Sequence, residues 1–137
     1  MTEISKLMLC EHERIDKLLK EFEKAVSDKK DVEEKFSKFK WTLEKHMFLE
    51  EKAIFNAFVK RDDVDDIFEL MNEHGDIMRI VNQMEEEITD SDMEELKTIL
   101  MEHVDFENNN FYPKLDELLS DNQKKEISEK CREIIKS

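Results

Sequence analysis

The sequence predicts an all-α protein: an antiparallel, up-down-up-down four-helix bundle with a short fifth helix at the C-terminus. The chain of 137 residues contains one glycine and one proline, and a β protein with so few turn-forming residues would lack its hairpin turns. Apolar residues recur at steps of three and four almost from end to end, which is typical of helices that bury one face. The length suits one domain, so we expect residues 1–137 to form a single unit.

Each helix is predicted from its own stripe of apolar residues. The four stripes run from Ile4 to Val26, from Val32 to Ala57, from Val64 to Ile88 and from Met93 to Leu118. A shorter amphipathic segment over residues 124–135 follows them. In the third helix the stripe is predicted to include Met71 and Met78.

The boundaries between the helices are predicted from start and stop signals. Two pairs have the spacing of a capping box, Asp31 with Glu34 and Ser91 with Glu94. The polar residues 60–63 separate the second helix from the third. Pro113 lies inside the fourth stripe, so we expect a kink or an early end there. Connections this short make neighbouring helices antiparallel.

Histidine and glutamate interrupt the apolar stripes where further core residues are expected. The interrupting residues are His12, His46, Glu50, His74, His103 and Glu107, and they include all four histidines of the chain. The motif EHxxI begins at Glu11 and again at Glu73. The motif HxxΦE, where Φ is apolar or aromatic, ends at Glu50 and again at Glu107. The chain is therefore predicted to consist of two similar helix pairs.

The spacing of these polar residues places them at one height in an antiparallel bundle. Two residues at the same height on a helical hairpin are equally far from its turn, so their midpoint marks the turn. For His12 and His46 the midpoint is Lys29, within a polar segment. The corresponding midpoints between the later helices are Arg61 and the bond between Thr89 and Asp90. Since all three fall on predicted turns, the six side chains should form one layer.

A layer of this composition favours metal binding. An unpaired buried carboxylate is unfavourable, so the residues must either form a hydrogen-bonded network or hold cations. Four imidazoles and two carboxylates suit iron or manganese better than structural zinc, which takes four ligands. They suit two metals with two histidines each and both carboxylates bridging, with a vacant position for a small ligand. A purely structural His/Glu network is the alternative.

At these residues the chain resembles the haemerythrin-like (HHE cation-binding) family of di-iron four-helix proteins. The motifs are EH at Glu11 and His12, HxxxEE from His46 to Glu51, EH at Glu73 and His74, and HxxxE from His103 to Glu107. The resemblance covers residues 4–118. It implies two iron ions with an oxo or hydroxo bridge, manganese being the second choice. The four histidines would be terminal ligands, and Glu50 and Glu107 bridging ligands.

The resemblance also implies a class of function. Oxygen-carrying members have a further histidine one turn before the third-helix ligand, where this chain has Leu70. We therefore expect a metal-binding protein that binds or reacts with O2, NO or H2O2 at an open iron position, in sensing, scavenging or storage. The alternative is an iron donor that repairs iron centres in an acceptor protein without catalytic turnover. A redox protein is the other partner expected.

The remaining polar and aromatic residues leave more than one interpretation open. Glu11, Glu51 and Glu73 adjoin predicted ligands, and their carboxylates either support those ligands or are solvated. Tyr112 and Trp41 are expected to be buried and could intercept oxidising species. Cys10 is expected to pack in the interior, with electron delivery or iron binding by its thiolate as the alternative.

Charge and cysteine content restrict partners and location. The net charge of −14 disfavours nucleic-acid or anionic-membrane surfaces. No apolar run approaches the roughly 18 residues that span a bilayer. The two cysteines, Cys10 and Cys131, form no CxxC motif, and the N-terminus does not resemble a secretion signal. These features predict a cytoplasmic protein.

Overall fold

The computed structural model describes residues 3–55 and 64–136, and the elements in these ranges are all helical. This confirms the all-α prediction. The α-helices are α1 (Glu3–Asp28), α2 (Val32–Leu49), α3 (Val64–Glu86), α4 (Asp90–Phe106), α5 (Tyr112–Leu118) and α6 (Asp121–Lys136). The predicted C-terminal helix is thus α6, which begins a few residues earlier than the sequence pattern indicated.

Two π-helical segments interrupt the regular helices. Glu50–Ile54 extends α2, and Glu107–Phe111 joins α4 to α5. Pro113 lies in the first turn of α5, where a proline removes no hydrogen bond within that helix. The helix therefore continues past the proline. The wider π turn comes before it in place of the predicted kink or early end. Because the first π segment contains no proline, the proline alone does not account for this feature.

The helices pack in pairs, and α6 covers one side of them. Helix α1 packs against α2, and α3 packs against α4. Helix α6 contacts α1, α2 and the first π segment, and α5 contacts α1. The connections at residues 29–31 and 87–89 lie where the midpoints predicted two of the turns. The third predicted turn, at Arg61, and Ala57 lie outside the described residues.

The buried apolar side chains form two clusters, one on each side of the His/Glu positions. Within α1, Met8 belongs to the first cluster and Ile15 to the second, and His12 lies between them in sequence. Helix α3 shows the same alternation, with Leu70 in the first cluster and Ile77 in the second. The polar residues therefore lie between two apolar cores.

The apolar face of α3 differs from the predicted stripe. Met71 is 43% exposed and Met78 is only partly buried, whereas Leu70 and Ile77 are fully buried. At 100° per residue, Leu70 and Ile77 lie on the same side of His74 as Ile80, Val81 and Met84, which are also buried. Since Met71 and Met78 also lie within one turn of His74, the periodicity around this histidine fits either face.

Neither predicted capping box forms, although Asp31 is the N-cap residue of α2 as predicted. The backbone of Asp31 is left-handed, with a φ of 57°, and its side chain makes no capping hydrogen bond. Helix α4 is capped by Thr89, whose hydroxyl accepts a hydrogen bond from the backbone N–H of Asp92. Thr89 and Asp92 are three residues apart, as are Ser91 and Glu94 of the predicted capping box. The observed cap therefore lies two residues before the predicted one.

Two expectations about single side chains are also corrected. Trp41 is 66% exposed and Cys10 is exposed, so neither packs in the interior. Tyr112 and Cys131 are buried. Among the helices in the described ranges, none has a stretch long and apolar enough to cross a bilayer.

Candidate metal centre

The six polar residues of the core meet in one layer. Each histidine comes from a different long helix, and Glu50 and Glu107 begin the two π segments. The histidines are 3–5% exposed and both glutamates are fully buried. The prediction that these side chains meet is confirmed.

Each glutamate lies between two imidazoles. The Oε1 atom of Glu50 is 3.1 Å from Nε2 of His46 and 3.4 Å from Nε2 of His74. One of these histidines is four residues away on the same helix and the other comes from α3. Each carboxylate therefore joins the two helix pairs.

Glu107 repeats this arrangement from the other pair. Its Oε1 atom is 3.3 Å from Nε2 of His103, four residues away, and 3.2 Å from Nε2 of His12 on α1. The rings of His12 and His46 have centroids 4.9 Å apart, and so do those of His74 and His103. The internal repeat seen in the sequence is thus also a repeat in space.

The atoms that face the middle of the layer lack hydrogen-bond partners within the described part of the chain. They are the Nε2 atoms of His12, His46, His74 and His103 and the Oε1 atoms of Glu50 and Glu107. They approach one another without the geometry of a hydrogen bond. A buried polar atom without a partner destabilises a protein by about 1–3 kcal/mol, so a cluster of six needs another source of stabilisation.

A cation between these atoms would supply that stabilisation. Two ligand atoms about 2.1 Å from one cation, at right angles, are about 3 Å apart, close to the N···O separations of 3.1–3.4 Å measured here. The donor atoms form two groups, each with members within 4.8 Å of one another: Glu50, His74, His103 and Glu107, and His12, His46 and Glu107. The side chains present therefore fit two cations that share Glu107.

The comparison with protein families agrees with this geometry. A family model described as the Hemerythrin HHE cation binding domain matches residues 3–115. The chain belongs to this family. The matched range includes all six polar residues of the layer. Comparisons with curated proteins and with solved structures gave no match.

Three of the four histidines in this hemerythrin HHE domain are held by a hydrogen bond from Nδ1. His12 donates to Oδ1 of Asn108 over 2.9 Å. His74 donates to Glu51 over 3.2 Å, and His103 donates to Glu73 over 2.6 Å. With the proton on Nδ1, the Nε2 atom carries the lone pair that a cation needs. The Nδ1 atom of His46 has no hydrogen-bond partner among the described residues.

Of the carboxylates that adjoin predicted ligands, Glu51 and Glu73 support a histidine of the HHE domain. Asn108 does the same and was missed by the sequence analysis. A signal for it existed, because Asn108 follows Glu107 as Glu51 follows Glu50 in the repeat.

The two buried carboxylates of the HHE domain have opposite pKa shifts. Burial and the charge of Glu50 raise the pKa of Glu107 well above its ordinary value. Burial also opposes ionisation of Glu50, but the neighbouring imidazoles, His46 foremost, hold the pKa of Glu50 well below its ordinary value. Without a cation, Glu50 therefore ionises more readily than Glu107.

The histidines differ in the same way. Burial, together with the charge of His46, lowers the pKa of His12 to about 4, so its imidazole is neutral at pH 7. Burial also acts against protonation of His74, but the adjoining carboxylates of Glu50 and Glu51 raise the pKa of His74 above its ordinary value. Of these two histidines, His74 thus receives more electrostatic support from carboxylates.

An aromatic ring lies against the HHE layer at the same position of each repeat. Phe55 stacks on His74 with centroids 5.6 Å apart, and Tyr112 stacks on His12 at 5.7 Å. The hydroxyl of Tyr112 donates to Oε2 of Glu50 over 2.9 Å. Burial and the charges of both glutamates raise the pKa of Tyr112 well above its ordinary value, so its hydroxyl keeps the proton that it donates.

A surface cleft reaches the edge of the HHE layer between α2 and α3. The cleft has a volume of about 360 Å³, and its lining includes Phe48, Met71, Gly75, Glu51 and His74. A Cβ atom placed on Gly75 would meet no atom within 4 Å. The layer is thus buried, but the side chain of His74 forms part of the wall of this surface cleft.

Proposed function

We propose that this HHE domain binds two iron ions and that the pair binds or reacts with O2, NO or H2O2 at an open coordination position. In this proposal His12, His46, His74 and His103 are the terminal ligands, and Glu50 and Glu107 bridge the two ions. Residues 1–137 form a single domain whose four long helices are arranged as an antiparallel, up-down-up-down bundle.

The observation that carries the proposal is the convergence of unpartnered donor atoms. Four imidazole nitrogens and two carboxylate oxygens point at one another in a layer with two apolar cores around it. A structural His/Glu network would satisfy these atoms by hydrogen bonds among themselves, which the geometry does not provide. Imidazole and carboxylate together suit iron, whereas structural zinc sites take four ligands and often thiolates.

The side chains of the layer have separate tasks around the metals. Iron supplies one-electron chemistry and Lewis acidity when it is bound. The glutamates provide negative charge, and Tyr112 holds Oε2 of Glu50 so that Oε1 faces the imidazoles. The apolar clusters exclude bulk water, and the cleft beside His74 offers small molecules a way in.

Burial favours reaction with a small ligand over iron donation. All six donor residues are at most 5% exposed, so a transferred ion would have to leave a closed layer, while a diatomic molecule would only have to enter. We place the protein in the cytoplasm, where Cys10 and Cys131 would stay as the free thiols seen here. A redox protein would be its electron partner.

Metal content and an absorption spectrum test the proposal. Protein reconstituted anaerobically with Fe(II) and then exposed to air should contain about two irons per chain and absorb in the near ultraviolet. Glu50→Ala should lose both properties, whereas Glu13→Ala, an exposed neighbour of His12, should keep them. Less than about one iron per chain, or an unchanged spectrum in Glu50→Ala, would overturn the proposal.

A transfer assay separates the proposed function from the alternative. Iron-loaded protein is mixed with an apo-acceptor and, separately, with NO or H2O2. Consumption of the small molecule while iron stays bound supports the proposal. Iron that moves to the acceptor while the small molecule is not consumed would favour the iron donor.

A further inference from the structure

The two helix pairs that repeat in sequence and in space do not support their histidines equally. On the α3 and α4 side, His74 and His103 both donate Nδ1–H to a carboxylate. On the α1 and α2 side, His12 donates to the neutral amide of Asn108, and His46 has no Nδ1 partner among the described residues. The repeat is therefore broken in the residues behind the ligands.

This difference matters because the partner of Nδ1 determines how strongly Nε2 donates to a metal. A carboxylate that accepts from Nδ1 fixes the ring and raises the basicity of the opposite nitrogen, and loss of such a partner typically weakens metal binding about 10- to 100-fold. A neutral amide orients the ring but adds no negative charge. Two carboxylates on one side against one amide on the other make the donor strengths unequal.

We infer that the two metal positions are unequal and that the position between His74 and His103 fills first and holds its metal more tightly. The inference rests on the proposed function, since it needs both positions to take a metal. It assigns Glu51 and Glu73 as positioning residues of the tight site. The position between His12 and His46 is then the one whose occupancy varies with the supply of iron.

The repeat provides both a gain-of-affinity variant and a matched control. Asn108→Asp places a carboxylate behind His12, as Glu51 stands behind His74, and should tighten the weak site about 10-fold. Glu73→Gln removes a carboxylate behind His103 and should weaken the tight site about 10- to 100-fold. Glu11 precedes His12 as Glu73 precedes His74, but His46 does not donate to it, so Glu11→Gln should change neither site.

Anaerobic titration of the metal-free protein with Fe(II), followed by calorimetry, tests the inference. The native protein should bind in two steps whose affinities differ about 10-fold or more. Glu73→Gln should move only the tighter step and Asn108→Asp only the weaker one, so in each variant the unmoved step shows that the protein is folded. Two equal steps, or a weaker step that moves in Glu73→Gln, would overturn the inference while leaving the metal site in place. Absence of any binding would overturn the proposed function and this inference together.

Discussion

At the scale of single residues, the hydroxyl of Tyr112 is the feature that distinguishes the two aromatic rings of the layer. Phe55 and Tyr112 occupy the same position of the repeat, five residues after the two glutamates. Only the tyrosine can donate a hydrogen bond to Glu50. This buried bond has a charged acceptor, the class of hydrogen bond that contributes most to stability.

We predict that Tyr112→Phe destabilises the metal-free protein by about 1.5–3 kcal/mol, because the substitution removes the donor and keeps the ring. The free energy of unfolding in urea measures this loss. Phe55→Leu, a change in the matching ring that removes no hydrogen bond, would serve as the packing control. A Tyr112→Phe protein as stable as the native one would show that the hydroxyl does not support Glu50.

The ligand candidates could be predicted from the sequence, but their supports could be predicted only in part. A histidine such as His12 stands out because it interrupts an apolar stripe, and the turn midpoints place it beside the others. Glu51 and Glu73 do not stand out in a chain with 36 acidic residues. Asn108 was missed because an asparagine near the end of a helix is common for other reasons. Whether such a side chain reaches a histidine depends on its direction. The helical period gives the face of the helix on which a residue lies but not the direction of its side chain.

At the scale of secondary-structure elements, the start of α4 depends on a different residue from the one the sequence indicated. Thr89 has extended backbone angles and accepts from Asp92. Thr89→Ala should therefore destabilise the protein by about 1 kcal/mol. Ser91→Ala changes an exposed residue inside the first turn and should stay within about 0.5 kcal/mol of the native protein. Thermal unfolding of the two variants checks this, and the opposite ranking would restore Ser91 as the cap.

Docking of α6 can be followed through the thiol of Cys131. Burial, followed by the charge of Glu50, raises the pKa of this thiol to about 12 from an ordinary value of 9.0. At pH 8 its reactive thiolate is then scarcer by about a thousandfold.

We predict that a disulfide reagent at pH 8 labels Cys10 rapidly and Cys131 only after denaturation. Cys131→Ser reports on Cys10, and Cys10→Ser reports on Cys131. Equal labelling rates in the two native variants would contradict the docking of α6 with the Cys131 thiol facing the interior.

The elements themselves could be predicted from periodicity, but their irregular parts could not. The 3.6-residue period predicted that the described residues are helical, but it joined α4 and α5 into one helix. It did not decide which side of His74 faces the core, because Leu70 and Met71 both lie within one turn of it. Each π segment adds one residue to a helical turn. The extra residue could not be predicted from the sequence, because both segments begin at glutamates that already interrupt the apolar stripe.

At the scale of the whole molecule, the two apolar cores are joined across a polar layer that is poorly satisfied without a cation. A cation that binds only the folded state stabilises it by about 2.7 kcal/mol when present at 100 times its dissociation constant. Fe(II) added anaerobically should thus raise the melting temperature, and a chelator should reverse the change.

Differential scanning calorimetry of the native protein and of Glu50→Ala measures this link between metal and fold. The native protein should respond to Fe(II) and to the chelator, and the variant should respond much less. A melting temperature of the native protein that changes neither with Fe(II) nor with the chelator would indicate a structural His/Glu network.

The most direct test is anomalous X-ray diffraction at the iron edge from crystals of the iron-reconstituted protein. The account predicts two peaks per chain inside the layer, one beside His74 and His103 and one beside His12 and His46, with Glu50 and Glu107 between them. A layer without iron, or iron bound only at surface carboxylates, would contradict it.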